Sequence, residues 1–457
     1  MIEPIARGDG NAIQGTVLGP DPRAGDPDCV GDCYDQLLLR VHRAFVAVLL
    51  SVLTSGACTH RGGAAAPGAT PSGILAVAQR VEHLDVAGRE PMVVEHPDGS
   101  LFVAGYGLQP RPTLWKSRDR GATWTRVDVG SEAQGAIGNS DVDLTVSRDG
   151  TLYFVNMFFD RVALEGTQIA IGVSRDTGAT WVWTTLSQTR FDDRPWVAVA
   201  PDGAAHVIWN DGSGVLHTAS RDRGVTWSTP TRIHSQGGSS HLAVGPHGEV
   251  AVRIVPLSAS GNKFDPGVDL IAVSTDGGTT WQEHPAPGQR DWAPFDSGGV
   301  TPRWVEPLAW DGAGRLYALW TDTTGVWLAR SADRGGTWSS WRVVTSRTIS
   351  YYPYLVARGH GELAATWFSG VGGDLEWRVA RLQVPDDSAA PRVIQSAPLP
   401  LEVWRPQAAP GDSLHHGTGG EYLGLTFLHD GGLGVASPIQ NPSAHRVGFT
   451  WWRFAAR

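Results

Sequence analysis

One eight-residue wording, S-x-D-x-G-x-T-W, occurs five times in this chain, and that recurrence limits the fold more than any other feature. The copies are Ser117–Trp124, Ser174–Trp181, Ser220–Trp227, Ser274–Trp281 and Ser331–Trp338. Their acidic residues, Asp119, Asp176, Asp222, Asp276 and Asp333, stand 57, 46, 54 and 57 residues apart. A tandem unit of that size cannot bury a core alone, so neighbouring units must pack into an array. Ser and Asp side chains bond nearby backbone N–H groups and hold a tight turn, while the Gly takes a positive φ. The Trp fills space between adjacent sheets. All five Asp residues are therefore read as structural.

A second repeat precedes each octapeptide. Turns at Pro97-Asp98-Gly99, Arg148-Asp149-Gly150, Pro201-Asp202-Gly203 and Pro246-His247-Gly248 separate short apolar, β-branched runs such as Leu101-Phe102-Val103. Looser versions follow at Gly312–Gly314, Gly359-His360-Gly361 and His429-Asp430-Gly431. This is hairpin chemistry. Each unit reads as strand A, turn, strand B, loop, strand C, octapeptide, strand D, and there are seven such hairpins. The last unit supplies A (Tyr422–Phe427), B (Leu433–Ala436) and C (Val447–Phe454) but no outer strand. Ile74–Val81 is expected to supply it, closing the ring and removing open edges. The predicted architecture is an all-β, seven-bladed propeller of four-stranded antiparallel blades over residues 74–457, with six blades as the alternative.

With 57 Gly, 20 Trp and 18% charged residues, the composition argues against helical bundles. A net charge of −9 offers nucleic acid no general attraction. The three cysteines, Cys29, Cys33 and Cys58, leave the body of the chain without a disulfide framework or a Cys-based zinc site. No metal-ligand spacing and no phosphate-cradling Gly-rich motif occurs, so no cofactor is expected. Residues 1–58 read as a leader: Arg40, His42 and Arg43 precede an apolar run, Ala44–Leu53, too short for a bilayer but suited to a signal peptide. Leu53–Cys58 resembles a bacterial lipobox with Ser55 in place of the usual Leu-like residue, which makes Cys58 the expected lipidation site. Residues 59–73 read as a flexible linker. The expectation is a secreted or lipid-anchored envelope protein, monomeric, touching membrane only through that anchor.

The octapeptide resembles the Asp-box, or BNR repeat, of sialidase (neuraminidase) β-propellers, over about residues 74–457. Seven blades depart from the six of sialidases. By analogy with that fold, function gathers where the A strands begin, on the face away from the boxes. Aligning the units there gives a column of Glu90, Asp141, Arg194, Ser239, Glu306, Tyr352 and Tyr422. Such a ring either bonds internally and to channel water or holds a ligand. Long loops, Phe158–Gln168, Val255–Asp269 and Pro285–Arg303, share this face.

The resemblance also implies roles. Arg89-Glu90-Pro91 looks like the Arg-x-Pro opening of sialidases, although Gly88 and Glu90 replace the family's aromatic and Ile. Arg194 and Arg303 would complete a carboxylate clamp, since guanidinium forks bind carboxylates bidentately. Asp141 is the candidate acid, Glu306 the candidate base, and Tyr422 or Tyr352 the candidate nucleophile; Glu90 and Tyr352 are also candidate substrate contacts. A Tyr nucleophile keeps a full carboxylate away from an anomeric carbon that already bears one. The implied function is an exo-glycosidase releasing terminal sialic acid or a related acidic sugar from a glycan. Two other readings stand beside it. One is a non-catalytic propeller binding glycan or an envelope protein. The other is a different glycoside hydrolase or lyase using Asp141, Glu90 and Glu306.

Overall fold

Hairpin by hairpin, the described residues lay down seven four-stranded antiparallel sheets, the blades of a β-propeller. The computed structural model describes residues 73–107, 109–235, 237–257, 267–289, 305–348, 350–370, 376–385, 389–399, 422–441 and 446–456. Blade 1 comprises Ala87–Glu95, Leu101–Gly107, Thr113–Ser117 and Thr125–Arg126. The first strands of blades 2 to 7 are Ser140–Val146, Asp193–Val199, Gly238–Val244, Leu308–Trp310, Ser350–Arg358 and Gly424–Phe427. Each first strand touches the next, and the seventh returns to the first, so these strands ring a common channel.

The seam lies in blade 7, where Val77–Asp85 pairs antiparallel with Arg446–Phe454, from Val77↔Phe454 to Asp85↔Val447. The closing strand thus sits three residues later than the apolar run Ile74–Val81 suggests. Its polar end is held by specific partners. The Trp115 indole N–H donates to Asp85 Oδ2 at 2.8 Å, and the His83 ring lies 5.3 Å from Phe449. Ile74 instead forms a parallel bridge to Ser396 of blade 6, where the Leu75 N–H donates to the Ser396 carbonyl. Trp124 of blade 1 meets Phe449 and Trp451 of blade 7 edge to face between the two blades, each pair adding about 0.5–1.5 kcal/mol beyond area burial.

The octapeptides form the turns their wording implies. In the fourth, Asp276 accepts the Thr280 N–H at 2.9 Å and the Thr280 hydroxyl at 2.6 Å. Ser274 Oγ donates to the same carboxylate and accepts the Gly278 N–H, both at 2.8 Å. Donation from Thr226, side chain and backbone, holds the equivalent Asp222 down at about 2. The sequence suggests one left-handed residue per box; the structure has two in succession. The residue before the Gly also lies there, with φ 59 at Arg120, 58 at Thr177, 62 at Arg223 and 58 at Arg334. A side chain in that region costs about 1–2 kcal/mol. A compensating contact recurs at this position's carbonyl, which takes a donor from the preceding blade. Lys116 Nζ reaches Thr177 O at 2.8 Å, Arg175 reaches Arg223 O at 2.6 Å, and Arg221 reaches Gly277 O at 3.5 Å. The boxes therefore bind blade to blade as well as closing their own turns.

Candidate functional site

An X-Pro dipeptide shapes the start of the first strand in blades 1, 3 and 6. Proline has no N–H to give to the ladder. At Glu90-Pro91, Arg194-Pro195 and Tyr352-Pro353 the register jumps, from Arg89 to Met92, from Asp193 to Trp196 and from Tyr351 to Tyr354. The residue before each Pro turns left-handed, with φ 45 at Glu90, 52 at Arg194 and 49 at Tyr352. Bulges of this kind re-aim side chains beside functional sites. Blades 2 and 4 shift register at the same level, between Ser140 and Val142 and between Ser239 and His241.

Blades 1, 2 and 7 bring one group of these residues together. The Tyr106 hydroxyl donates to Glu90 Oε2 at 2.8 Å, and the Arg89 guanidinium lies 5.8 Å from the Tyr106 ring centre. Burial raises the Tyr106 phenol well above its usual range; Arg89 opposes that shift, while Glu90 and Asp141 add to it. Burial likewise raises Tyr422, helped by Glu90, Asp141, Tyr106 and Asp143. Tyr422 is already engaged, its hydroxyl donating to the Val142 carbonyl at 3.3 Å. Glu90 is buried, Asp141 half-buried and Arg89 exposed, so the group opens outward on its Arg89 side.

Two residues further along the same strands lies a buried inner tier of Asp143, Trp196, His241 and Tyr354. Ring centres run Tyr354–His241 at 5.6 Å, His241–Trp196 at 5.1 Å and Trp196–Tyr422 at 5.2 Å. The Leu308 N–H donates to His241 Nδ1 at 3.3 Å, which places the imidazole proton on Nε2. Burial lowers this histidine to about 3. Asp143 accepts N–H groups from Val197 and Leu144, yet burial wins and lifts it to about 7.

The remaining candidates lie elsewhere in the ring. The Glu306 carboxylate, fully buried, pairs with Arg253 of blade 4, which also binds Asp269. Tyr352 is buried edge-on against Tyr351, centres 5.2 Å apart. Arg194, 8% exposed, has its Nε 3.6 Å from Asp193 Oδ2, and Ser239 Oγ donates to the Arg194 carbonyl at 2.7 Å. Arg303 and Cys58 lie outside the described residues. Asp119, Asp176, Asp222, Asp276 and Asp333 occupy their turns. Tyr106 and the inner tier are not singled out by the sequence column. Tyr106 stands on the second strand, opposite Arg89, and the tier follows from two-residue periodicity. At the other end of the channel, a cavity of about 270 Å³ opens among the hairpin turns of blades 2 to 6. Two of its charged residues are already paired, Asp311 with Arg315 and Arg358 with Glu362.

Seven four-stranded blades among the described residues, with five such boxes along the chain, make this a β-propeller bearing BNR/Asp-box-type turns. The family model described as BNR/Asp-box repeat matches residues 272–283, the fourth box. No curated protein matches the sequence. Among solved structures the chain is similar to an ulvan lyase, at 11% identity over 81% of this chain and 95% of that one, with a TM-score of 0.49. It is similar to the xyloglucanase of Xanthomonas campestris, at 16% identity over 81% and 55%, with a TM-score of 0.48. It is also similar to the sialidase of Trypanosoma rangeli, at 13% identity over 80% and 55%, with a TM-score of 0.41. These likenesses are of fold.

Proposed function

We propose that the chain is a glycan-acting propeller, an exo-glycosidase working at the mouth formed by blades 1, 2 and 7 on a terminal acidic sugar. The observation that carries this reading is the Tyr106–Glu90 hydrogen bond, beside Asp141 and under Arg89. Tyr106 takes the nucleophile's part in place of Tyr422, whose hydroxyl is spent on a backbone carbonyl. The phenolic oxygen forms a bond to the anomeric carbon as its proton passes to Glu90. The bond to the leaving oxygen breaks as Asp141 protonates it. Water then cleaves the Tyr–sugar bond, Glu90 returns the proton to the phenol, and Asp141 takes one from the water. Because burial makes free phenolate costly, proton transfer and attack must occur together. Arg89 supplies a cation for the sugar's carboxylate. An extracytoplasmic location, secreted or anchored through Cys58, is part of the same proposal.

A binding-only propeller is the second reading, favoured by the internal use of the Tyr422 hydroxyl and the Glu306 carboxylate. The full chain is assayed on chromogenic α-sialosides and a panel of other glycosides. Turnover lost in both Tyr106→Phe and Glu90→Gln supports catalysis. Inactivity across the panel with glycan-array binding retained supports the second reading.

A further inference from the structure

The blade 2 hairpin that rises beside the mouth has no part in the chemistry above. Its strands, Leu152–Asp160 and Glu165–Ser174, meet at the turn Arg161–Leu164. At the tip Val162 is 95% exposed and Leu164 44% exposed. A solvated turn of this kind ordinarily carries Gly, Asn or Asp. Leu164 holds φ 56, a conformation that disfavours a branched side chain.

This turn is held rigidly. Asp160 Oδ1 accepts the Val162 and Ala163 N–H groups at 2.7 and 3.0 Å. Just below the turn the Asn139 side chain bonds both backbone groups of Phe159, at 3.1 and 2.7 Å. Asn139 precedes Asp141 by two residues, which ties the hairpin to the candidate site. On the blade 3 side Arg190 grips Glu165 with contacts of 3.0, 3.0 and 2.7 Å. A side chain at Gly166 would meet the Asp192 carbonyl at 1.7 Å, so the two segments touch backbone to backbone. Phe191, on the facing connection, is left-handed too, at φ 67, with the Arg190 guanidinium 4.9 Å from its ring. Strained positions survive where the surroundings over-determine them, and such places are commonly functional.

We propose that this hairpin is a membrane-docking element, inserting Val162 and Leu164 into a lipid bilayer so that the mouth faces glycans carried on membrane lipids. Two side chains are far too little for a stable protein interface, which buries roughly 1,200–2,000 Å² in total. They suit the headgroup–acyl boundary, where a short apolar tip beside a cation, here Arg161, gains from shallow burial. With a net charge of −9, the chain is drawn by apolar transfer rather than by anionic headgroups.

The glycan part rests on the reading in the previous subsection; the docking part is measured by itself. Full-length protein, V162D/L164D and L164G are sedimented with phosphatidylcholine vesicles, with and without an acidic glycolipid, at low and high salt. The double variant is expected to lose about tenfold in partition in every condition. L164G, which relieves the backbone, loses part of the partition while unfolding at no lower urea concentration than wild type. Equal sedimentation of wild type and double variant overturns the proposal, as does a loss confined to glycolipid vesicles. Turnover of a soluble glycoside stays unchanged in both variants. A wild type inactive on that glycoside defeats the glycosidase reading alone, because partition still decides the docking.

Discussion

Gly278 and Gly335 occupy the same place in two boxes, and replacing each by Ala separates backbone strain from packing. Both are left-handed, with φ 87 and 93. A Cβ there costs about 1–2 kcal/mol in either box. At Gly335 the added atom meets nothing closer than 3.5 Å. At Gly278 it would lie 2.0 Å from Cε1 of His217. That imidazole is buried, hydrogen-bonded to His206 at 3.0 Å and edge-on to Trp281 at 5.3 Å, so it has no free direction in which to retreat. Forcing an atom into such a site costs about 1–3 kcal/mol more. Gly335→Ala is thus expected to lose about 1–2 kcal/mol and Gly278→Ala about 2–5 kcal/mol. Urea unfolding followed by tryptophan fluorescence measures both, provided the two variants keep the wild-type slope. Losses equal to within about 0.5 kcal/mol, or in the reverse order, would refute the claim that the box glycine also serves blade-to-blade contact.

Tyr422→Phe is expected to lose about 1 kcal/mol of stability with turnover within a few-fold of wild type, whereas Tyr106→Phe should cut kcat at least ~100-fold; steady-state kinetics on the best glycoside decides between them. His206 and His217 are held neutral by burial, with values of about 4 and 3 against 6.5. Below pH 6.5 the unfolded chain therefore binds protons that the folded chain refuses. Stability is full above that pH and falls toward pH 4 by about 1.4 kcal/mol per unit per histidine. Asp143, raised to about 7, works in the opposite sense. The measurement is therefore the difference between wild type and His217→Gln, and identical slopes from pH 7 to 5 would dismiss the pair. A chain beginning at Ala87, without the closing strand, is expected not to give a cooperative unfolding transition. Addition of a peptide spanning Val77–Asp85 should restore one; a transition without the peptide would remove the strand from the stabilising set.

The blades were legible because the octapeptide states its own contacts: Ser, Asp and Thr close a turn among residues at most four apart. The closing strand was legible in kind but not in register, since its last residues are polar and are kept by Trp115 and Phe449 of other strands. Glu90, Asp141 and Tyr422 fall in one column at the starts of the first strands, and the structure groups them. Tyr106 is outside that column because it stands on the second strand, across from Arg89. Glu306 illustrates the deeper limit: its partner Arg253 lies 53 residues away in another blade, and no local pattern announces that pairing. Left-handed Glu90, Arg194 and Tyr352 were hidden for a related reason. X-Pro can mark many bends, and only the inter-strand ladder turns it into a bulge.

Val77 lies opposite Phe454, and the Ala455 N–H donates to the Ala76 carbonyl at 3.0 Å. A tensile load applied across these two points would act at right angles to the ladder's long axis. Its hydrogen bonds would then rupture one after another instead of sharing the load as they do in shear. The ring would peel from blade 7 at modest force, while load introduced at two sites in other blades would first have to break interlocked layers. As a mechanical object, this ring has a designated zip.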